Sequence, residues 1–426
     1  MTFKSSILAD LADRNLIADS TDASELDTLL ASKSVTFYCG FDPTAPALHL
    51  GNLAQIITMM RFQRHGHRPL VLIGGATGLI GDPKESGERS LNPGDIVDQW
   101  LQRIKESVTK FFDFEVSNAC EVVNNYDWTK EFSAISFLRD IGKHFSINRM
   151  LDRDAVSARL ANQGISYTEF SYVLLQSLDY VELNKSYGCQ LQIGGSDQWG
   201  NITSGCDLVR RMNGETVHAL TTPLIVKADG TKFGKTESGT VWIDKELTSP
   251  YAFYQFWLNA DDRDVETYLK TFSFKSIDEI KELVKESVAE PHLRIGQRAL
   301  AEELTTLVHS EDATLKVKKA SEALFGNSVL DDVDVETLLN ALQEAGLKEV
   351  SSEEFEACQT VVDALVLAGI SPSKGAARRT ISEGGAYLNN ERISDAELPI
   401  SRSNLVQNQV LVLRRGKKTI AGIRLV

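Results

Sequence analysis

The segment VTFYCGFDPTAPALHLGN, residues 35–52, decides the fold class. Val35–Phe41 is β-branched and aromatic, the composition of a strand. After it, Leu53–Arg64 repeats apolar side chains at Leu53, Ile56, Ile57 and Met60, the spacing of one helix face. Pro69–Ile73 (PLVLI) then reads as a second strand. Strand, helix and strand in that order form a βαβ unit and imply a parallel sheet. The alternation continues with a helix over Tyr167–Leu183, a short strand Leu191–Ile193 running into the Gly194–Gly195 turn, and a last strand Leu224–Val226 before the Asp229–Gly230 turn. The sheet is expected to end there, so the class is α/β, with a Rossmann-like parallel-sheet domain over residues 1–248.

Outward from this domain the pattern changes. From Ser249 the β signal disappears for about a hundred residues, while Ile277–Val288 and Leu293–Val308 have helical spacing, so a helical domain is expected over 249–325. Residues 326–352 are acidic and weakly periodic and read as a linker with one helix. A third, small α+β domain is expected over 353–426: helices Glu353–Leu367 and Ser373–Ser382, a Gly384–Gly385 turn, and strands Ala386–Leu388 and Val410–Leu413. The length of 426 residues agrees with about three domains.

With 42% hydrophobic and 24% charged residues, the chain is neither disordered, nor collagen-like, nor a small disulfide scaffold. No apolar run reaches the roughly 18 residues of a spanning helix, and Asp10, Asp13 and Arg14 stand where a signal peptide is apolar, so a cytoplasmic protein without membrane attachment is expected. Five cysteines without a C-x-x-C pair fit a reducing compartment and suggest no zinc site. His65-Gly66-His67 offers only two ligands, so no protein-bound metal is expected. The net charge is 45 − 59 = −14, but Ser371–Val426 holds ten Lys/Arg against four acidic residues, +6, which leaves −20 on the first 370 residues. A basic terminal module on an acidic body suits a localised polyanion site.

Two near misses are set aside first: Gly230 stands one residue too close to Gly234-Lys235-Thr236 for a P-loop, and Gly74, Gly75, Gly78 and Gly81 lack the dinucleotide spacing. A different phosphate apparatus remains. Residues 42–52 leave the first strand and enter the first helix, where Gly51 permits close backbone approach, the helix N-terminus offers free N–H groups, and His49 adds a donor. A capped helix with an incidental histidine has the same pattern. Lys232, Gly234, Lys235 and Thr236 form a second element, a Gly-flanked loop that can close over a phosphate or stand as a solvated hairpin. Tyr172, Gln176 and Asp179 fall at i, i+4 and i+7, one helix face, and the polarity of 176 and 179 argues against plain core packing.

In this order the two phosphate elements resemble the signature pair of class I aminoacyl-tRNA synthetases, H-I-G-H at His49-Leu50-Gly51-Asn52 and K-M-S-K-S at Lys232-Phe233-Gly234-Lys235-Thr236. Asn52 replaces the second histidine and Gly234 the serine. Longer stretches narrow the resemblance to bacterial-type tyrosyl-tRNA synthetases: residues 38–52, GGATGLIGDP (74–83), NNYDW (124–128), FSYVLLQSLDY (170–180), LQIGGSDQWGN (191–201) and ADGTKFGKT (228–236). Ser373–Arg379 with Gly384–Asn389 is similar to the S4-like RNA-binding fold that ends this family.

The resemblance implies a tyrosine–tRNA ligase acting on L-tyrosine, ATP with Mg²⁺, and tRNA(Tyr). It assigns Tyr38 and Asp179 to the substrate hydroxyl, Tyr172, Gln176 and Asp82 to its ammonium group, and Gln198 to the reacting carboxylate. A cleft whose buried groups pair with a phenol leaves them unpaired with phenylalanine, the basis of discrimination in this enzyme type. Cys39, Gly40, Asp42, His49, Asn52, Gly195, Asp197 and Lys235 fall to ATP, and Thr44, His49, Lys232, Lys235 and Thr236 to catalysis. The tRNA side takes Arg210, Arg211, Lys374, Arg378, Arg379, Arg414, Lys417 and Lys418. Lys84 and Arg89 lie on a loop a residue shorter than in many relatives. The family implies a homodimer through about 110–165. A tryptophanyl relative, against which Tyr38, Asp179 and the S4-like tail speak, and a non-catalytic RNA-binding scaffold are the alternatives.

Overall fold

The computed structural model describes residues 2–426 apart from 84–92, 152, 153, 163, 232, 237, 238, 326–328, 417 and 418. Chain contacts divide it into two units, Met1–Asp244 with Asp261–Gly296, and Lys245–Ala260 with Gln297–Val426. Residues 249–325, expected as one helical domain, are thus shared between the two.

The first unit is built on six strands, β1 (Asp19–Ser20), β2 (Thr36–Phe41), β3 (Arg68–Ile73), β4 (Glu121–Asn124), β5 (Leu191–Gly195) and β6 (His218–Thr222), in the order β1-β6-β5-β2-β3-β4. All neighbours are parallel except β1, which pairs antiparallel with β6 at the edge. The helix Leu50–Arg64 carries the chain from β2 to β3, as the βαβ reading requires. The chain grows from β2 through β3 to β4 on one side, then returns to lay β5 and β6 on the other. A crevice therefore opens at the carboxyl ends of β2 and β5, the topological switch point where α/β sheets bind ligands.

The last parallel strand is not Leu224–Val226. The LIV triplet lies outside the sheet, with Leu224 and Val226 56% and 61% exposed, while His218–Thr222 is wholly buried between β5 and β1. The sequence HALTT conceals this strand because its threonines are β-branched yet polar, and their backbone partners on both sides replace the hydrophobic signal. β4 and β1 were likewise absent from the sequence reading. Tyr180, on the long helix Tyr167–Tyr187, donates its hydroxyl to the His218 carbonyl at 2.7 Å and sets its ring edge-on to Tyr38 with centroids 5.2 Å apart. That helix ends at Gly188, whose φ of +62° is the left-handed cap.

The second unit holds a five-stranded sheet of β9 (Leu347–Val350), β10 (Ala386–Leu388), β11 (Glu391–Arg392), β12 (Val410–Arg415) and β13 (Thr419–Leu425) in the order β11-β10-β12-β13-β9; the intervening labels β7 (Lys235–Thr236) and β8 (Gly239–Thr240) belong to a hairpin of the first unit. Residues 326–352, read as a linker, supply its parallel edge strand β9 and the helix Val335–Ala345, whose Leu338, Ala341 and Leu342 are buried. The expected helix Glu353–Leu367 is two helices, Ser352–Ala357 and Val361–Leu367, because Thr360 caps the second through a reciprocal bond with Asp363. Leu342 is fully buried, so Leu342→Ala is expected to cost about 2–5 kcal/mol. Leu315→Ala, at a site 52% exposed, should stay within about 0.5 kcal/mol. Denaturant unfolding followed by circular dichroism measures both, and equal, small losses would return 326–352 to the status of a linker.

Candidate active site

The crevice at the switch point is a cavity of about 380 Å³ lined by β2 and the residues after it (Tyr38, Cys39, Gly40, Asp42, Thr44), the helix start at His49, Gly51 and Asn52, and Asp82. Tyr172, Gln176 and Asp179 form its wall from the Tyr167–Tyr187 helix, and Gly195, Asp197 and Gln198 close it after β5. Every expected substrate and ATP residue except Lys235 therefore lines one cleft. Lys232 lies outside the described residues, as do Lys84 and Arg89.

Its floor is a continuous polar network. Tyr172 donates to Asp42 Oδ2 at 2.7 Å and Thr77 to Asp42 Oδ1 at 2.6 Å. Asn125 Nδ2 donates to Thr77 Oγ1 at 2.9 Å and to Asp179 Oδ2 at 3.1 Å, and Trp128 Nε1 donates to Asp179 Oδ1 at 2.9 Å. Thr77, Asn125 and Trp128 were missed as site residues, although the stretches GGATG and NNYDW had been singled out; spacing along the chain carries no sign of what they meet. Gly74 is required here, since a Cβ would come within 1.9 Å of Asp42 Oδ1. Asp42, expected at ATP, is bound into this network.

Asp179 is buried, and burial pushes its carboxyl up to about 8 despite the two donors that favour the charged form. The Tyr38 hydroxyl is equally enclosed and has no hydrogen-bond partner among the described residues. Tyr38 and Asp179 therefore do not hydrogen-bond each other, as a pair buried only to satisfy itself would. Gln176 Oε1, Gln55 Oε1 and Gln192 Oε1 are also buried without a partner among the described residues. Orphaned buried polar atoms are rare and call for a missing partner; four of them belong to residues that line one cleft. Asp82 accepts from Gln198 Nε2 at 2.9 Å and from Asn201 Nδ2 at 3.1 Å.

At the cleft mouth His49 is the N-cap of Leu50–Arg64. Its Nδ1 accepts the Gly51 N–H at 3.0 Å, and Asn52 Oδ1 accepts the His49 N–H at 3.0 Å, a reciprocal cap. Because a backbone N–H can only donate, Nδ1 is unprotonated and the ring proton sits on Nε2. Protein atoms crowding the solvent-accessible ring lower its pKa from the ordinary value, and the Lys235 ammonium acts in the same direction. The Asn52 bond also explains how asparagine serves where the signature has histidine: it holds the cap and keeps two amide hydrogens.

The second signature is tied to the first through one strand-like segment. Leu50 N–H donates to Val241 O at 3.3 Å, Ile243 N–H to Leu48 O at 3.0 Å, and Val241 N–H to Gly234 O at 2.9 Å. Gly234 has φ +74°, a conformation in which serine would be strained. Lys235 and Thr236 form β7, paired antiparallel with β8.

The family follows from comparison with known proteins. Residues 30–326 match the model for tRNA synthetases class I (W and Y), and residues 343–421 match the tyrosine–tRNA ligase SYY-like C-terminal domain. The chain is 54% identical to the tyrosine–tRNA ligase of Thermobifida fusca over 98% of its length and 99% of that protein's, and 55% identical to that of Streptomyces avermitilis over 98% of each. The chain belongs to the class I tyrosyl-tRNA synthetases. A truncated mitochondrial tyrosyl-tRNA synthetase from Aspergillus nidulans superposes with a TM-score of 0.68 at 30% identity, covering 75% of this chain and 94% of the other. As a tyrosine–tRNA ligase the enzyme uses ATP as a substrate.

The residues expected on the tRNA side are placed less uniformly. Arg210 pairs with Asp207 at 3.1 Å and Arg211 donates to the His144 carbonyl at 3.0 Å, both exposed near the end of the helix Trp199–Met212. In the second unit Lys374 pairs with Asp363 at 2.7 Å and Arg378 with Glu397 at 3.2 Å, while Arg379 is exposed. Arg414 is only 8% exposed, its guanidinium 4.4 Å from the centre of the Tyr387 ring; it is a packing cation. Lys417 and Lys418 lie outside the described residues. Among the described residues no group of three or more metal-ligating side chains converges, and no helix is long and apolar enough to cross a membrane.

Asp179 gives a pH test. In the folded chain it holds its proton to about pH 8, against about 3.8 for an ordinary aspartate. Between those values the folded state binds the extra proton, so this group's contribution to stability falls as pH rises from about 4 to about 8 and is level above. Asp179→Asn cannot ionise, so its melting temperature relative to the parent should climb between about pH 5 and pH 8; a flat or falling difference would refute the buried neutral carboxyl.

Proposed function

We propose that the enzyme ligates tyrosine in two steps without a protein nucleophile. The tyrosine carboxylate attacks the α-phosphate of ATP in line and pyrophosphate leaves; the terminal ribose hydroxyl of tRNA(Tyr) then attacks the activated carbonyl. The unpartnered Tyr38 hydroxyl beside buried Asp179 carries this reading, because the pair is what a phenol on the substrate would complete. Gln176, Tyr172 and Asp82 hold the ammonium group, Gln198 the reacting carboxylate, and Cys39, Gly40, Gly195 and Asp197 the ribose.

Catalysis comes from holding reactants in register and meeting developing charge. Thr44 and the Nε2–H of His49 serve the far phosphates, with Asn52 beside them, while Lys232 and Lys235 bring charge and Thr236 a hydroxyl from the loop. Mg²⁺ accompanying the triphosphate would supply neutralisation of the phosphate charge rather than occupy an all-protein cage. Arg210, Arg211, Lys374, Arg378 and Arg379 contact tRNA phosphates, which position the RNA and make binding salt-dependent. A homodimer through about 110–165 is supported by exposed apolar side chains there, including Ile135 at 72%, Ile147 at 58% and Leu138 at 50%. The enzyme works in the cytoplasm.

Pyrophosphate exchange into ATP without tRNA is expected with tyrosine and not with phenylalanine or tryptophan; tryptophan-only exchange would move the reading to the sister enzyme. His49→Ala should cut that exchange on the order of 100-fold and leave tyrosine affinity unchanged. His49→Asn, which can still cap the helix, separates the lost donor from the lost cap. Equal losses in rate and tyrosine affinity would remove His49 from the phosphate site.

A further inference from the structure

The helix Val265–Phe272 has an aspartate, Asp264, at the position before its first turn. Aspartate there ordinarily turns back and accepts from the N–H groups of its own helix. Asp264 does not: its backbone is helical, at φ −92° and ψ −17°, and its side chain makes no capping bond. The carboxylate, 5% exposed, reaches 36 residues back along the chain, where Oδ1 accepts the Ala228 N–H at 2.8 Å. Oδ2 accepts the Tyr268 hydroxyl at 3.4 Å. Enclosing a carboxylate is costly unless its partners need it, and the partner here is the first residue of the stretch that carries the second signature.

The same helix face holds the other end of that stretch. Tyr268 and Phe272, at i+4 and i+8 from Asp264, receive the Phe233 ring with centroids 5.2 and 5.4 Å apart, the second pair nearly parallel at 25°. One stripe of side chains thus grips the loop at 228 and at 233, immediately before Gly234 and Lys235. Beyond the grip, Lys227 Nζ donates to the Lys235 carbonyl at 3.0 Å. The helix is itself fastened. Arg61 Nη2 donates to Ser273 O at 2.5 Å and Arg14 Nη1 to the same oxygen at 3.2 Å, and Arg14 Nη2 donates to Lys275 O at 2.7 Å. Arg61 belongs to Leu50–Arg64, the helix that His49 caps. Both signatures are therefore referenced to one framework, the first through the start of that helix and the second through the stripe 264–268–272.

We propose that Asp264 is a positioning residue of the activation step, acting through the Ala228 N–H to set where Lys235 stands. The proposal rests on the two-step ligase reading, in which Lys235 meets the phosphates. It assigns Asp264 no contact with substrate. A misplacement of about 1 Å in such a group costs on the order of 100-fold, so loosening one of the two grips should show mainly in the rate.

The test compares Asp264→Ala, Asp264→Asn and Phe233→Ala in the full chain. ATP–pyrophosphate exchange, equilibrium tyrosine binding, thermal melting and the rate of tryptic cleavage after Lys235 are measured for each. Asp264→Ala is expected to lower the exchange rate roughly 10- to 100-fold, with tyrosine affinity within about twofold of the parent and faster cleavage at Lys235. Asp264→Asn, whose amide oxygen can accept the same N–H, should recover most of both. Phe233→Ala should repeat the alanine pattern from the other grip, and it carries the test if Asp264→Ala does not fold. Parallel loss of tyrosine affinity and exchange, or unchanged exchange and cleavage in Asp264→Ala, would overturn the proposal. If the parent itself shows no tyrosine-dependent exchange, the ligase reading falls, and unchanged cleavage at Lys235 would then still refute the positioning role.

Discussion

Asp179 is held by Asn125 and Trp128, Asn125 also holds Thr77, and Thr77 with Tyr172 holds Asp42. This chain of bonds runs across the carboxyl ends of β2, β3 and β4 and onto the Tyr167–Tyr187 helix, leaving out β5 and the start of Leu50–Arg64. Each strand end would otherwise present unpaired backbone and side-chain groups to a crevice, and buried polar groups left unpaired cost more than paired ones return. The network fixes the spacing between Asp179 and the pair Asp42 and Tyr172. A ligand in the cleft meets these groups at that set distance.

The mouth of the cleft is organised differently. Backbone bonds from Leu48 and Leu50 to residues 241 and 243, and from Val241 to Gly234, make the two signatures parts of one ribbon. The floor is thus set by side chains and the join between the two signatures by main chain. The departures from the signature fit their places locally: Asn52 closes the cap with His49, and Gly234 holds a φ of +74°.

The parallel sheet was legible because β2, Leu50–Arg64 and β3 have unmixed periods, and the cleft face of the Tyr167–Tyr187 helix because polar residues at 176 and 179 interrupt an apolar pattern. β6 was not legible: His218–Thr222 is buried by neighbours on both sides, so its sequence need not alternate, whereas the apolar triplet at 224–226 drew the assignment to an exposed segment. The edge strand β9 was hidden in acidic residues for a related reason, since Lys348 and Glu349 face solvent and only Val350 is buried. Asn125, Trp128 and Thr77 were hidden for another, because their meaning lies in contacts between segments about 50 residues apart. Arg414 shows the converse limit. Its charge counts toward a basic surface, yet the ring of Tyr387 takes it inward.

The raised carboxyl of Asp179 ties the occupancy of the cleft to a proton. Where a bound group changes this carboxyl's preference for its proton, binding takes up or releases protons between about pH 4 and about pH 8. The heat of binding then carries the ionisation enthalpy of the buffer, and calorimetry in two buffers at one pH gives two different enthalpies for one affinity.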